Sequence, residues 1–142
     1  MSQHPLRSLI ENKPLLESIA EKYGTPLYLY SGDRIKNNLD HLSTALNKYL
    51  EKNQIYFAVK ANSNPHLISF MKINYPDLGC DCSSPGELFV ANKTGIIAER
   101  CLYTGNYESS DDLKAALGSG CHINLDDIQS FRRLAQIKVP KE

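Results

Sequence analysis

The fold of this chain follows from a short apolar stretch that ends in a charged residue, Tyr56-Phe57-Ala58-Val59-Lys60-Ala61-Asn62. The apolar run over 55–59 is typical of a buried strand. A buried ammonium is costly unless it is paired or neutralised, and desolvation would favour the neutral, nucleophilic amine that forms Schiff bases. Lys60 is therefore a candidate catalytic residue, and the alternative is a side chain that extends from the strand end to solvent.

The strand-then-helix pattern repeats after residue 53. The sequence predicts four short apolar strands that start roughly 22 residues apart, each followed by a helix. Their nearly continuous apolar character is typical of strands that are covered on both faces. The predicted strands cover 55–59, 78–82, 100–104 and 121–125, and the predicted helices cover 65–73, 85–94, 110–117 and 127–137.

Four successive strand–helix units imply an α/β fold with a parallel sheet. A doubly wound sheet and a (β/α)8 barrel both fit this pattern, and the even spacing favours the barrel, of which four units form one half. Residues 1–32 are predicted to form a separate helix, over 6–23, and a strand, over 27–30. Residues 33–142 are predicted to be the first half of the barrel, beginning with an amphipathic helix capped by Ser31 or Asp33.

Charge and composition restrict the partners. The 142 residues include 16 basic and 16 acidic side chains, so the formal net charge is zero, which argues against nucleic acid or a membrane surface as a partner. The sequence shows no signal peptide or membrane-spanning run, so we expect a cytoplasmic protein. Cys80 and Cys82 lack the spacing of a structural metal site, and we predict no metal but buried, reduced thiols.

The stretch Tyr56-Phe57-Ala58-Val59-Lys60-Ala61-Asn62-Ser63-Asn64 resembles the Y-A-V-K-A-N-S-N signature of the fold-type III decarboxylases, especially the diaminopimelate decarboxylases. In that family the lysine carries pyridoxal 5'-phosphate. The resemblance implies the same role for Lys60 and places Ala58 beside the cofactor. Alanine racemase shares the fold, but its lysine motif continues differently.

A second stretch, Gly79-Cys80-Asp81-Cys82-Ser83-Ser84-Pro85-Gly86-Glu87-Leu88, resembles the family's G-F-D-V-V-S-G-G-E-L. The resemblance implies that Asp81 and Glu87 are catalytic residues in the polar network around the lysine, with Asp81 also binding the cofactor. A carboxylate close to a lysine favours its protonated form. The alternative for Glu87 is a first-turn acid that interacts with its helix dipole.

A third stretch, Tyr103-Thr104-Gly105-Asn106-Tyr107-Glu108-Ser109, resembles the family's F-H-G-N-N-K-S. The resemblance implies that Asn106 lines the cofactor side of the barrel. Thr104 and Glu108 stand where the family has histidine and lysine, which puts the substrate in doubt more than the fold. The alternative for this stretch is a loop built from turn-forming residues.

The resemblance implies a decarboxylase that converts meso-diaminopimelate to L-lysine and carbon dioxide and functions as a homodimer when full-length. Ornithine- or arginine-type decarboxylation and a non-catalytic, regulatory half barrel are the alternatives. The family's later barrel strands and its C-terminal β domain are not found in this sequence, and the strand over 27–30 would belong to that β domain. We therefore expect a truncated N-terminal portion, inactive alone.

Overall fold

A computed structural model describes residues 6–137, which divide into two compact units between Ala45 and Leu46. The ends of the predicted domains, residues 1–5 and 138–142, lie outside the described part. The first unit contains α1 (Arg7–Ile10), α2 (Lys13–Tyr23) and most of α3 (Gly32–Tyr49). The second unit contains a sheet and four further helices.

The continuous helix predicted over 6–23 is wrong, because the chain leaves the helix between α1 and α2. Asn12 caps α2, and its side chain accepts a hydrogen bond from the Leu15 amide at 3.2 Å. Pro14 lies in the first turn of α2, where its missing N–H costs nothing. Inside a longer helix the same proline would clash with the preceding turn.

The strand predicted over 27–30 does not form among the described residues. A strand is defined by ladder hydrogen bonds to a neighbour, and the four strands of the described chain all lie in the second unit. The apolar and aromatic side chains that suggested a strand are instead exposed, and Tyr28 retains 91% of its accessible surface. Apolar composition alone therefore did not determine the structure of this segment.

The second unit forms all eight of the predicted strands and helices, with ends shifted by one or two residues. A 3-10 turn follows the first strand at Val59–Ala61, and another precedes the third strand at Ala98–Arg100. The elements in chain order are β1 (Tyr56–Ala58), α4 (Pro65–Asn74), β2 (Gly79–Cys82), α5 (Pro85–Lys93), β3 (Cys101–Thr104), α6 (Ser110–Ser119), β4 (His122–Asn124) and α7 (Ile128–Gln136).

The four strands pair in parallel in the order β1-β2-β3-β4. Ala58 pairs with Asp81, Cys80 with Cys101 and Thr104 with Asn124. A doubly wound sheet reverses its strand order at a switch point, whereas a barrel adds each strand beside the previous one. The observed order therefore agrees with half of a barrel and not with the doubly wound alternative.

The two faces of the sheet differ in burial. Cys80, Cys82, Cys101 and Tyr103 point to one face and are at most 3% exposed, beneath helices that contribute buried residues such as Leu113. Side chains alternate between faces along a strand, so the intervening residues point the other way. Those residues are mostly half-buried, so the expectation of strands covered on both faces is wrong for residues 6–137.

Side-chain caps fix the starts of the helices that follow the strands. Asn64, Ser84, Ser109 and Asp127 each accept a hydrogen bond from a backbone amide in the first turn of α4, α5, α6 and α7. Ser31 does the same for α3, accepting from the Arg34 amide at 3.3 Å, which confirms one of the two predicted caps. Each connection therefore ends at a defined residue beside the carboxyl end of its strand.

Gly79 is required by the close approach of Tyr56. A Cβ atom built at Gly79 would lie 2.7 Å from both the Arg100 carbonyl oxygen and the Tyr56 ring. We predict that Gly79→Ala lowers the free energy of unfolding by about 1–3 kcal/mol, because overpacking forces neighbouring atoms to move. Urea unfolding monitored by circular dichroism measures the change.

Gly118→Ala is the matched control, since nothing lies within 4 Å of a Cβ atom at this position in α6. Alanine favours the helix over glycine by up to about 1 kcal/mol, so this variant should be as stable as the parent or more so. Equal stability of the two variants would contradict the close packing at Gly79.

Candidate active site

Lys60 lies at the carboxyl end of β1, in the 3-10 turn Val59–Ala61. Its side chain is exposed, so the desolvation expected from the sequence is not provided by the described residues. The turn is closed by a hydrogen bond from the Asn62 amide to the Val59 carbonyl oxygen at 3.0 Å. The Lys60 amine is thus accessible at the strand end, where catalytic groups of barrel enzymes gather.

Two asparagines of the lysine motif shape the connection to α4. The Asn62 side chain accepts a hydrogen bond from the Asn64 amide at 3.0 Å, and Asn64 in turn accepts from the His66 amide at 2.9 Å. The sequence analysis assigned no role to either side chain. These hydrogen bonds give the two asparagines of the motif a structural role, because they direct the chain from the lysine turn into α4.

Ala58 and Asp81 are direct neighbours across β1 and β2, on the open face of the sheet. Neighbouring strands lie roughly 4.8 Å apart, so the two side chains are adjacent. The Asp81 Oδ1 atom is buried and has no hydrogen-bond partner among the described residues. An unpaired buried carboxylate oxygen is costly, and it is an acceptor that a bound ligand could satisfy.

Glu87 lies in the first turn of α5, and Ser83 holds its carboxylate. The Ser83 amide donates to Glu87 Oε2 at 2.8 Å, and the Ser83 hydroxyl lies 3.1 Å from Oε1. Within residues 6–137, the ion pairs include none between Lys60 and either Asp81 or Glu87. The contacts of Glu87 are those of the helix-terminus alternative, and its catalytic role stays a prediction.

Asn106 is exposed in the loop between β3 and α6, the connection that follows the third strand. The next residue, Tyr107, has a φ of 58°, a left-handed conformation that is uncommon outside glycine and asparagine, and its side chain is 97% exposed. The loop therefore turns sharply after Asn106 and returns to the interior at Glu108. The cofactor-binding role of Asn106 stays a prediction.

Glu108 is the main feature of this region that the sequence analysis missed. It was noted only as a departure from the family's lysine, but the residue is 5% exposed and accepts a hydrogen bond from the Ser130 hydroxyl at 2.7 Å. Arg133 lies 4.0 Å from the same carboxylate oxygen, Oε2. The departure from the motif was the available signal, because a change of charge requires a new partner.

The acids at the start of α7 belong to this network. Asp127, rather than Asp126, is the helix cap, and hydrogen bonds from the Ser130 amide and hydroxyl lower the pKa of the Asp127 carboxyl. Carboxylate oxygens of Glu108, Asp126 and Asp127 lie within 4.8 Å of one another. The Asp127 carboxylate already accepts hydrogen bonds from the first turn of α7, so its observed role is to cap that helix.

The covered face of the sheet contains three buried thiols, which confirms the predicted burial of Cys80 and Cys82. Burial raises the pKa of the Cys80 thiol to about 12. A hydrogen bond between the Cys82 and Cys101 thiols raises the pKa of Cys82 and lowers that of Cys101. Cys80 and Cys82 therefore stay protonated near neutral pH and serve as small apolar residues.

A cavity of about 250 Å³ lies on the helix side of the sheet, apart from the predicted site. Its lining is largely apolar and comes from α5, α6 and the residues around β3, including Leu88, Ile96 and Cys101. It contains none of Ala58, Lys60, Asp81, Glu87 or Asn106. The predicted site residues therefore lie apart from this cavity.

The residues at the strand ends fit pyridoxal phosphate in two respects. Lys60 offers an accessible primary amine, the group that reacts with an aldehyde. The unsatisfied Asp81 Oδ1 offers an acceptor on the open face, beside the small side chain of Ala58. A parallel strand–helix sheet with an amine and a carboxylate at its carboxyl edge suits a barrel enzyme that binds a carbonyl-containing cofactor through lysine.

Residues 33–141 match the family described as pyridoxal-dependent decarboxylase, pyridoxal binding domain, and the chain belongs to this family. Membership confirms the resemblance read from the three motifs and the cofactor that they imply. No helix among the described residues is long and apolar enough to span a membrane.

Curated relatives include diaminopimelate decarboxylases. The chain is 38% identical to that of Methanothermobacter thermautotrophicus, over 84% of this chain and 27% of the relative. It is also 38% identical to that of Aquifex aeolicus, over 84% of this chain and 26% of the relative. The chain thus spans about a quarter of the length of these relatives.

Solved structures show the same fold. The diaminopimelate decarboxylase of Helicobacter pylori, complexed with L-lysine, matches with a TM-score of 0.76 and 29% identity, over 84% of this chain and 29% of that chain. The diaminopimelate decarboxylase of M. jannaschii, also in complex with L-lysine, matches with a TM-score of 0.75 and 25% identity, over 82% of this chain and 28% of that chain. These matches confirm the prediction that the chain forms the first half of a barrel.

Loss of the α5 cap should destabilise the chain. The Ser84 hydroxyl accepts from the Glu87 amide, so Ser84→Ala removes an N-cap and should lower the free energy of unfolding by about 1 kcal/mol. Chemical unfolding gives the value. Ser18→Ala is the control, since the exposed Ser18 hydroxyl bonds only within α2; a similar loss in both variants would contradict the cap assignment.

The stability of the chain should fall at alkaline pH. Burial, with Asp112 and Glu108 nearby, raises the pKa of Tyr103 from 10.0 to about 12. Because the folded-state pKa is the higher one, this contribution is complete below pH 10 and is lost as pH rises through about 12. We predict that Tyr103→Phe reduces the loss of stability between about pH 9 and about pH 11, measured by urea unfolding. The exposed Tyr23→Phe should leave the decline unchanged.

Proposed function

We propose that this chain provides the lysine-bearing part of the cofactor site of an amino-acid decarboxylase that acts on meso-diaminopimelate and releases L-lysine and carbon dioxide. The observation that carries the proposal is the position of Lys60, accessible at the carboxyl end of β1, with the unsatisfied Asp81 on the next strand. The chain spans about a quarter of its relatives, so the activity is proposed for the complete enzyme and not for this part alone.

The residues of the chain have distinct roles in the proposal. Lys60 would hold pyridoxal phosphate through its Nζ atom and would keep a proton there once the substrate is bound. Asp81 Oδ1 would accept a hydrogen bond on the open face, and the small Ala58 side chain would leave room beside it. Asn106, in the loop between β3 and α6, would offer a hydrogen-bond donor. When bound, pyridoxal phosphate supplies the electron sink that decarboxylation requires.

Glu87 has a supporting role in the proposal. Its carboxylate is fixed by the Ser83 amide and hydroxyl, and Glu87 lies in the first turn of α5, five residues beyond the end of β2 in the chain. Glu87 would add a fixed negative charge at this edge of the sheet, and it forms no ion pair with Lys60 among the described residues.

The choice of substrate is supported by the relatives named diaminopimelate decarboxylase, at 34–38% identity over 84–85% of this chain. A second candidate is decarboxylation of ornithine, lysine or arginine. It is favoured by Thr104 and Glu108, which depart from the third family motif. The lysine/ornithine decarboxylase of Vibrio vulnificus is 22% identical, which supports the common fold alone.

We infer a homodimer and a cytoplasmic location for the complete enzyme. The buried thiols Cys80, Cys82 and Cys101, which form no disulfide with one another or with Cys121, suit a reducing compartment. The balanced net charge gives no long-range attraction to nucleic acid or to anionic membranes. Sedimentation of the complete enzyme would test the dimer.

Borohydride trapping tests the role of Lys60. The purified chain is incubated with increasing pyridoxal phosphate, reduced, digested and examined by mass spectrometry. We expect Lys60 to be labelled at lower cofactor concentrations than the exposed lysines of the helices, because Asp81 gives the bound cofactor a second contact. Lys60→Arg should abolish the low-concentration label and retain the positive charge.

Lys93, an exposed lysine in the last turn of α5, provides the internal reference for non-selective labelling. Asp81→Asn should raise the cofactor concentration needed to label Lys60 and leave Lys93 unchanged. If Lys60 and Lys93 were labelled equally at every concentration, the proposed cofactor site would be wrong.

A further inference from the structure

We propose that Glu108 is a positioning residue, which anchors the loop 105–109 to α7 and thereby holds Asn106 at the carboxyl edge of the sheet. This inference rests on the proposed function, since it gives that site a supporting residue. Asn106 and Tyr107 are exposed, whereas Glu108 is 5% exposed. The loop is therefore held in place by its buried residue Glu108 and not by its exposed residues.

The anchor begins with the hydrogen bond between Glu108 and Ser130. Ser130 is fully buried at the start of α7, and its hydroxyl lies 2.7 Å from Glu108 Oε2 and 2.9 Å from Asp127 Oδ2. Arg133 Nη2 donates to the same hydroxyl at 2.9 Å and lies 4.0 Å from Glu108 Oε2. A buried carboxylate requires hydrogen bonds and a positive partner, and α7 supplies both to Oε2, whereas Oε1 is buried without a hydrogen-bond partner among the described residues.

The loop is also shaped to admit this carboxylate. A Cβ atom built at Gly105 would lie 2.5 Å from Glu108 Cγ and 3.0 Å from Glu108 Oε1, so the Glu108 side chain occupies the space that any other residue at 105 would fill. The left-handed conformation of Tyr107 turns the chain inward between the two. Such strain persists only where the surrounding contacts determine the conformation.

The anchor joins two neighbouring strand ends. The loop 105–109 follows β3, and the first turn of α7 follows β4. The hydrogen bond between Glu108 and Ser130 therefore links two neighbouring loops on the carboxyl side of the sheet. Asn106 is two residues from the anchor and has little freedom to leave this edge. Glu108 therefore acts through the loop, without contact to the cofactor, and its effect should be seen in cofactor affinity.

The test compares Glu108→Ala, Glu108→Gln and Ser130→Ala in the full chain, with two readouts. Hydrogen exchange of the amides of residues 105–108 requires no cofactor, and the Ser109 amide is left out because it donates to Asp112, the residue changed in the control. The pyridoxal phosphate concentration that labels half of Lys60 reports on the site. The control is Asp112→Asn, which breaks the capping box of α6 but leaves Glu108 and Ser130 in place.

We expect Glu108→Ala to speed exchange in the loop about 10-fold and to raise the half-labelling concentration about 10-fold, as removal of a supporting contact does at other sites. Glu108→Gln should restore most of both values, because its amide oxygen still accepts the Ser130 hydrogen bond. Ser130→Ala should act in the same direction and serves if Glu108→Ala does not fold. Asp112→Asn should alter neither value.

Unchanged loop exchange and unchanged half-labelling in the folded Glu108 and Ser130 variants would overturn the proposal. An equal rise of the half-labelling concentration in Asp112→Asn would also overturn it, because general loss of stability would then be the cause. If the parent chain shows no selective label at Lys60, the proposed function fails, while the exchange measurement still tests the anchor. The two ideas can therefore fail separately.

Discussion

Helices that cover only one face of the parallel sheet are the constraint on which the rest of the second unit depends. Parallel strands must be joined by crossovers, and here the crossovers α4, α5 and α6 pack against the face that contains Cys80, Cys101 and Tyr103. Because side chains alternate, the other face contains Ala58 and Asp81, two of the residues proposed to bind the cofactor. Burial of the residues on the covered face thus determines which residues point to the open face.

The open face and the strand ends together place the proposed site residues near the carboxyl edge of the sheet. Ala58 and Asp81 are fixed by strand register, which is rigid, whereas Lys60 and Asn106 lie in short connections that are fixed by turns. Helix caps on Asn64 and Ser84 limit the length of these connections. Backbone hydrogen bonds position the acid, and the turns and caps position the groups around it.

The sequence predicted the strand–helix units well, because strict apolar runs between turn residues have few alternatives. It failed where a partner decides the structure. The segment 27–30 is apolar but has no neighbouring strand among the described residues, and a helix over 6–23 was predicted without regard to Pro14. In the site, motif positions located Lys60 and Asp81, whereas Glu108 was missed because its partners are distant in sequence.

The sheet order, in which each strand pairs with the strand before it in sequence, also affects how the chain folds. Paired residues such as Tyr56 and Gly79, Cys80 and Cys101, or Leu102 and His122 are separated by 20 to 23 residues in sequence. Each pairing therefore closes a loop of one strand–helix unit, and shorter loops cost less entropy to close than longer ones. Each new strand needs only its predecessor as a template, so during synthesis the sheet can grow one unit at a time from its N-terminal edge.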